Sequence, residues 1–324
     1  MRCTSIIALS LLSFSVASPV QKPNTRPLVI WHGLGDSYGS EGILDFMDAI
    51  REMYPGIFVH SVGLAESQDD DRRATFFGDV NLQIANATAQ IQDIPELKGG
   101  FDAIGLSQGG QFLRAYIERT NSPPVHNLIT FGSQHMGIAD LPACARFDIM
   151  CQLARRATRG GVYSEWVQKN VVTAQYYRDP DRLSLYLERN HFLPDINNEY
   201  PSGVNKTYAR NFASLNKLVL VMFSEDKTVV PKESSWFGSY APQQENVDSA
   251  EKTIIPMRLQ SVYVNDTIGL RTIDERGDVV LDTCEGEHMQ LGDCWKGFVQ
   301  KYVGGQLDDV QDVYRERVQG VFGF

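Results

Sequence analysis

The chain has 324 residues, 43% of them hydrophobic, so it can bury a large core as one domain or as a domain with a sizeable insertion. Its formal net charge of −10 at pH 7 argues against an extended basic surface, and we expect no nucleic-acid partner. Beyond the N-terminal segment, no apolar run approaches the length of about 18 residues that a transmembrane helix needs, so we expect no membrane span.

The first residues have the pattern of a secretory signal peptide. Arg2 precedes an apolar run over 6–16, and small residues at Ser15 and Ala17 precede the expected cleavage site. The alternative is a buried N-terminal helix. We expect a signal peptide over 1–17 and a mature protein in the secretory pathway or beyond it. In an exported chain the N-x-T sequons become candidate glycosylation sites, at Asn86, Asn205 and Asn265.

Apolar stretches typical of buried strands alternate with amphipathic stretches along the chain. Strands are predicted at Leu28–Trp31, within IFVHSVG, at Phe101–Leu106, at 127–133 and at 218–224. Helices are predicted within GILDFMDAIREMYPG, over 77–94 and over 108–120. This alternation predicts an α/β fold with a mostly parallel sheet that helices cover on both faces.

Between about residues 137 and 216 the alternation stops. The stretch is polar and helical in pattern, with YSEWVQKNVVTAQYY as its clearest helix, and it is too long for an ordinary loop. We predict a helical insertion over one end of the sheet, within a domain that covers 18–303. The remaining residues, 304–324, form a tail for which the sequence suggests no role.

Four cysteines follow the expected signal peptide: Cys144, Cys151, Cys284 and Cys294. Four cysteines allow three pairings, and the closeness of the two groups along the chain favours Cys144–Cys151 and Cys284–Cys294. The alternative for the second group is a buried thiol at a strand end and a core residue of the closing helix. No C-x-x-C motif is present, so we expect neither a zinc nor a redox site.

The pattern G-x-S-x-G surrounds Ser107, where a predicted strand passes into a predicted helix. A chain of this composition should contain the pattern about 0.15 times by chance, so the pattern alone is weak evidence. A serine nucleophile also needs a base that takes its proton and a carboxylate that orients the base. On α/β-hydrolase sheets these residues follow the order Ser, Asp or Glu, His.

Chain order and position select the partners of the serine. Among the six histidines, only His288 follows the last plausible strand, in a loop before the closing helix; the other five are interpreted as structural or surface residues. The stretch LVLVMFSEDKTVVP places Glu225 and Asp226 at a late strand end, and we prefer Asp226, with Glu225 in reserve. The backbone N–H groups of Gln108 and of Leu34, in the glycine-rich HGLGD loop, are the expected oxyanion donors.

Several stretches resemble the palmitoyl-protein thioesterases, over about 27–303. They are WHGLGDS, GLSQGGQFLRA, NLITFGSQHMG, YSEWVQKNVVTAQYYRDP, SEDKTVVPKESSWFG, IGLRTIDERG and CEGEHMQL. The resemblance implies an α/β-hydrolase whose helical insertion forms a groove for a fatty acyl chain. It implies hydrolysis of long-chain acyl thioesters, above all palmitoyl-cysteine in proteins, in a lysosome- or vacuole-like compartment or after secretion.

The same motifs imply the roles of individual residues. Ser107 would be the nucleophile, His288 the base, and Asp226 the carboxylate that orients the base. The backbone N–H groups of Leu34 and Gln108 would donate to the oxyanion. The Cys144–Cys151 bridge and the Asn205 sequon also look like family features. The chain departs from some members at Tyr38-Gly39, where they carry adjacent cysteines, and another family bridge is missing. Val230 replaces a family aspartate, which removes a competitor of Asp226.

Two other functions stay open at this stage. The triad residues do not distinguish a thioester from an oxygen ester, so a secreted lipase or esterase is the second hypothesis. A non-catalytic lipid carrier on a hydrolase scaffold is the third, although the complete Ser, Asp and His set speaks against it. The thioesterase reaction would need no metal and no organic cofactor, and its partners would be S-acylated proteins or peptides and long-chain acyl thioesters.

Overall fold

The structure is a computed structural model that describes residues 25–144, 146–158, 161–243, 252–306 and 308–320. The signal peptide predicted over 1–17 lies outside the described residues. Within them, none of the helices combines the length and the apolar character that a membrane crossing requires.

A parallel sheet forms the centre of the described structure. Its strands are β1 (Leu28–Trp31), β2 (Val59–Ser61), β3 (Phe101–Leu106), β4 (Val125–Phe131), β5 (Lys217–Phe223) and β8 (Val279–Cys284). They lie in the order β2-β1-β3-β4-β5-β8, and all neighbours pair in parallel. A separate antiparallel pair consists of β6 (Ser239–Tyr240) and β7 (Ile254–Ile255). The mostly parallel α/β sheet predicted from the sequence is confirmed.

Helices fill the connections between the strands. Those before β5 are α1 (Glu41–Met53), α2 (Gln68–Ala74), α3 (Val80–Asp93), α4 (Gln108–Arg119), α5 (Ile149–Ala157), α6 (Glu165–Asn170), α7 (Val172–Gln175), α8 (Leu183–Arg189), α9 (Leu193–Ile196) and α10 (Lys206–Ala213). Those after β5 are α11 (Ser261–Val264), α12 (Leu270–Glu275), α13 (Cys294–Tyr302) and α14 (Asp308–Gly320).

Alternate residues of each central strand enter two separate cores, because successive side chains of a strand point to opposite faces. Leu28 and Ile30 of β1 pack with α1 and α13 on one face. Val29 and Trp31 pack with α3, α4 and α10 on the other. Both faces of the sheet are therefore covered at its centre, which explains why the central strands β1, β3, β4 and β5 are mostly apolar in sequence.

Two predicted helix boundaries are wrong. The helix predicted from residue 77 begins only at Val80, where the Asp79 side chain accepts the N–H groups of the first turn. The single helix predicted in YSEWVQKNVVTAQYY is broken between α6 and α7 at Val171, whose backbone is extended. The N–H of Val172 donates to the Phe76 carbonyl, so tertiary backbone pairing replaces the helical bond at this break.

The C-terminal tail contains α14, which packs against the core through the buried side chain of Val310. Arg317 of this helix forms an ion pair of 3.0 Å with Asp278 and donates to the carbonyl of Leu215. The tail therefore contacts the segments that lead into β5 and β8, at the amino ends of those strands. The division of the chain into a hydrolase domain, an insertion over about 137–216 and a tail stays a prediction.

Candidate active site

Ser107 lies on a sharp turn between β3 and α4. Its backbone has φ 52° and ψ −121°, a strained conformation for a residue that carries a Cβ. The flanking glycines are required by close packing. A Cβ on Gly105 would lie 2.1 Å from the Cα of Gly110, and a Cβ on Gly109 would lie 2.1 Å from the carbonyl oxygen of Trp31. The G-x-S-x-G pattern therefore has a steric cause here.

The structure brings Ser107, His288 and Asp226 together. The distance from His288 Nε2 to Ser107 Oγ is 2.9 Å, and that from His288 Nδ1 to Asp226 Oδ2 is 2.6 Å. Asp226 Oδ1 accepts the backbone N–H groups of Thr228 and Val229, at 2.8 and 3.0 Å, which fixes the carboxylate. Because an ionised carboxylate only accepts, Nδ1 carries the ring hydrogen and Nε2 can accept the serine proton.

The order of strands in the sheet brings these three side chains together. Asp226 follows β5 and His288 follows β8, and these neighbouring parallel strands end at the same edge as β3. Glu225, the reserve candidate, is exposed, and its backbone N–H donates to the Gly286 carbonyl. Of the two carboxylates at this turn, the structure places Asp226 against the imidazole.

Both disulfides favoured by the sequence are present. Cys284 at the end of β8 is bonded to Cys294 at the start of α13, with His288 between them. Cys144 is bonded to Cys151 of α5. Cys284 is buried at the end of a strand, which agrees with one part of the alternative interpretation. It is not a free thiol, however, because it is bonded to Cys294.

The segments that carry the two expected oxyanion donors lie beside the serine. A Cβ on Gly33, the residue before Leu34, would lie 3.1 Å from the Cβ of Ser107. Gln108 is the first residue of α4, so its N–H has no acceptor within the helix. The Gln108 side chain accepts a 3.0 Å hydrogen bond from the Tyr176 hydroxyl, which ties the segment after α7 to this helix.

A second histidine–aspartate pair holds the loop that carries Leu34. His32 Nε2 lies 3.0 Å from Asp71 Oδ2, and both side chains are fully buried. Asp71 also accepts the backbone N–H groups of Leu64 and Tyr38, at 2.6 and 2.8 Å. Burial alone would raise the pKa of Asp71, but the adjacent His32 ring and the two N–H groups hold it below its ordinary value.

Sequence reasoning missed this pair. His32 follows β1, and the sequence predicts only a structural or surface role for it, while Asp71 is the last of three consecutive aspartates at the start of α2. Nothing local distinguishes Asp71 from the two before it. Only the contact between β1 and α2, which are far apart in the chain, identifies the residue.

Ser107 and His288 open onto a cavity of about 510 Å³. This volume lies within the range of roughly 300–1,000 Å³ that is usual for small-molecule sites. Much of its wall is apolar, with contributions from Ile43, Phe46, Phe76, Ile138, Val229 and Met289. These side chains come from widely separated segments, and the sequence did not identify them. The cavity can accept an apolar group beside the serine hydroxyl.

The candidate glycosylation sites are accessible. The asparagines of all three sequons, Asn86, Asn205 and Asn265, are exposed. Asn205 is also the N-terminal cap of α10, and its side chain accepts from the N–H of Thr207. Exposure is a condition for glycosylation, and modification of these residues stays a prediction.

Comparison with known proteins is consistent with this geometry. Palmitoyl-protein thioesterase 1 of Caenorhabditis elegans is 41% identical over 291 residues, which cover 88% of this chain and 93% of that protein. Palmitoyl-protein thioesterase 3 of Dictyostelium discoideum is 33% identical and covers 88% of this chain and 91% of its own length. Lysosomal thioesterase PPT2 of Rattus norvegicus is 29% identical, covering 86% of this chain and 88% of that protein.

A family model described as palmitoyl protein thioesterase matches residues 27–288. The matched range begins just before β1 and ends at the histidine that contacts Ser107. It therefore includes the whole parallel sheet and the three residues that meet at the cavity. The chain belongs to the palmitoyl protein thioesterase family.

Proposed function

We propose that this chain hydrolyses long-chain fatty-acyl thioesters, chiefly palmitoyl-cysteine in proteins, through an acyl-serine intermediate. The main observation in support is the chain of hydrogen bonds from Ser107 through His288 to Asp226, beside a largely apolar cavity of about 510 Å³. Relatives named palmitoyl-protein thioesterases, similar over most of their length, support the choice of substrate.

In the proposed first step, His288 Nε2 takes the proton of the Ser107 hydroxyl as Oγ attacks the thioester carbonyl carbon. The carbonyl oxygen becomes negative and is stabilised by the N–H groups of Leu34 and Gln108. The C–S bond then breaks, the cysteine sulfur leaves, and the proton on His288 passes to it. Asp226 stabilises the imidazolium throughout.

In the second step, water replaces the thiol. His288 takes a proton from the water as its oxygen attacks the acyl carbon, and the acyl–Oγ bond breaks. The proton returns to Ser107 and the fatty acid is released. A thiol with an ordinary pKa near 8.5 leaves with less protonation than an alkoxide needs, so one histidine suffices as acid and base.

We propose a location in the secretory pathway, ending in a lysosome or vacuole or outside the cell. The signal-peptide pattern over 1–17 and relatives named lysosomal thioesterases support this location. S-acylated proteins or peptides and long-chain acyl thioesters would be the partners. The domain division, with an insertion over about 137–216, belongs to the same proposal.

Hydrolysis of acyl-CoAs of graded chain length tests the function. Each methylene buried in the cavity is worth about 0.8 kcal/mol, so kcat/KM should rise about fourfold per methylene, toward chains of about 16 carbons. Ser107→Ala is the matched inactive control. A matched series of oxygen esters distinguishes the lipase or esterase alternative, which predicts equal or faster ester cleavage. A flat chain-length profile, or an optimum at acetyl, would contradict the long-chain proposal.

A further inference from the structure

The α5 helix and the short segment directly before it expose large apolar side chains. Phe147 is 85% exposed, Ile149 is 68% exposed and Leu153 is 46% exposed. Ile149 and Leu153 are four residues apart and therefore lie on the same face of α5. We call these three residues, together with Arg146, Arg155 and Arg156, the α5 surface.

The α5 surface borders the candidate active site. The cavity that contains Ser107 is lined in part by Pro142, Asp148 and Cys151. These three residues are interspersed along the chain with the residues of the α5 surface. The Cys144–Cys151 disulfide holds the segment to the start of the helix. One side of this segment therefore forms the cavity wall, and the other carries exposed apolar groups beside the cavity.

The charge of this segment is opposite to that of the whole chain. Three arginines and one aspartate occur over 141–158, a net charge of +2, while the chain carries −10. The aspartate, Asp148, is paired with Arg72 at 3.3 Å. Within the described residues, none of the three arginines of the α5 surface forms an ion pair. Their charge is thus not neutralised by neighbouring carboxylates.

The arginines are placed next to the apolar groups. The Arg146 guanidinium lies 5.7 Å from the centre of the Phe147 ring. Arg156 follows Ile149 by seven residues and continues the face formed by Ile149 and Leu153. Exposed apolar side chains that share a helix face with arginines are typical of helices that lie in the interface of an anionic membrane.

We propose that the α5 surface docks on an anionic lipid bilayer and holds the cavity at the membrane interface. A symmetric contact between two copies would bring the same unneutralised arginines close together, which disfavours a dimer through this face. The benefit of docking rests on the proposed function, because the acyl chains of S-acylated proteins lie in membranes. The docking itself follows from the exposure and charge of the surface.

Vesicle co-sedimentation of the purified chain tests the proposal. The chain should bind vesicles of phosphatidylcholine with phosphatidylserine, and bind phosphatidylcholine alone at least about fivefold more weakly. Phe147→Ser combined with Ile149→Ser should lower the partition coefficient at least about tenfold, since two large apolar groups no longer enter the bilayer. Arg156→Gln should lower it about fivefold on the anionic vesicles only.

Two matched variants control for general changes of the surface. Leu259→Ser removes an equally exposed apolar side chain from another part of the chain, and Arg315→Gln removes an exposed charge from α14. Both should bind vesicles as the unmodified chain does. All variants should hydrolyse a soluble medium-chain acyl-CoA within about twofold of the unmodified rate, because none of these residues lines the cavity.

The outcomes separate docking from catalysis. Vesicle binding that is unchanged by the Phe147 and Ile149 substitutions, or equally reduced by Leu259→Ser, would overturn the proposal. So would a dimer in sedimentation velocity that the same substitutions dissociate. Failure of the proposed function has a different signature, namely no hydrolysis of soluble acyl-CoA by the unmodified chain whether or not it binds vesicles.

Discussion

Two histidine–aspartate pairs lie close to Ser107. In each pair one ring nitrogen of the histidine contacts the aspartate, and the pairs differ in the contact that the other ring nitrogen makes. In the His288–Asp226 pair, Nε2 contacts the serine hydroxyl and the ring borders the cavity. In the His32–Asp71 pair, Nδ1 lies 3.2 Å from the carbonyl oxygen of its neighbour Gly33, and both side chains are fully buried.

The comparison shows that the surroundings, rather than the pair itself, decide between proton transfer and positioning. The proton of His288 can pass between Ser107 and a group in the cavity. His32 is buried and does not line the cavity, and its aspartate contacts both ends of the loop that carries Leu34, through the His32 ring and the backbone N–H of Tyr38. This contrast supports the proposed proton transfer at the first pair, and for the second pair we propose that it positions the loop.

The largest expected effect comes from the pair that contacts the serine. Ser107→Ala, His288→Ala and Asp226→Ala should each lower kcat by about four orders of magnitude or more. Because the residues act as a unit, the double and triple variants should lose little more than the most damaging single change. Steady-state and single-turnover kinetics with palmitoyl-CoA would measure the losses.

Glu225→Ala is the matched control for Asp226, because it removes the adjacent, exposed carboxylate at the same turn. This variant should keep nearly the full rate. The opposite result, with Glu225→Ala inactive and Asp226→Ala active, would show that the carboxylate is assigned to the wrong residue. Losses that multiply across the three positions would show that the residues act independently.

A smaller loss is expected at the second pair. Asp71→Asn should lower kcat about tenfold to hundredfold with little change in KM, because displacement of the loop by a fraction of an ångström weakens the Leu34 contact to the oxyanion. The pH dependence of kcat should keep its shape, since His288 remains the base. Asp70→Asn, at an exposed carboxylate of the same helix, is the control and should be nearly silent. A shift of the acid limb in Asp71→Asn would instead place this pair in proton transfer.

The Asp71→Asn variant should also change how the free energy of unfolding depends on pH. The pKa of Asp71 is lowered from its ordinary value of 3.8, so the folded chain binds fewer protons there than the unfolded chain near that pH. The ionised form then stabilises the fold above pH 3.8, and this contribution is lost as the pH falls through the folded pKa.

Urea titrations from pH 6 down to pH 3 would measure this effect. The difference in unfolding free energy between the unmodified chain and Asp71→Asn should narrow toward pH 3 by up to about 1 kcal/mol, because below pH 3.8 the unfolded carboxyl binds a proton more readily than the folded one. A difference that widens toward acid would mean that the Asp71 carboxyl is protonated in the folded chain.

The contrast between the pairs also marks what the sequence can reveal. Ser107 and Asp226 were predictable because each follows a recognisable apolar strand, and His288 because it follows them late in the chain, in the order typical of α/β-hydrolases. The parallel sheet was predictable because continuous apolar strands must be buried on both faces. His32–Asp71 depends on a contact between distant segments, and three consecutive aspartates give no local sign of which one is buried.

The cavity and the helices α6 and α7 show the same limit. The cavity wall combines side chains from α1, the segment after α2, the segments between β4 and β5 and the loops after β5 and β8, so no single stretch predicts it. The break at Val171 arises from backbone hydrogen bonds to residues 76–78, which helical propensity cannot foresee. Local pattern predicts elements, whereas long-range backbone pairing decides where some of them end.

The smallest expected effect concerns how the chain holds the imidazole of His288, the base in the proposed mechanism. His32 directly follows a central strand, whereas His288 lies in a loop whose ends are joined by Cys284–Cys294. So short a closed loop contributes at most about 3 kcal/mol to the free energy of unfolding, through the chain entropy of the unfolded state. Replacing both cysteines by alanine should therefore lower the free energy of unfolding by up to that amount and lower kcat/KM about fivefold, because the loop that carries His288 is then less well fixed.

Mass spectrometry of unreduced peptides tests the bond directly, and free thiols at both positions would remove the basis of this prediction. Replacing Cys144 and Cys151 by alanine is the matched control, because that bridge closes a similarly short loop elsewhere at the cavity. It should leave the pH dependence of kcat unchanged. The Cys284 and Cys294 variant should alter that dependence, because a loosely held imidazole forms weaker hydrogen bonds to Asp226 and Ser107. Equal effects of the two double variants would mean that the second bridge has no particular role in holding His288.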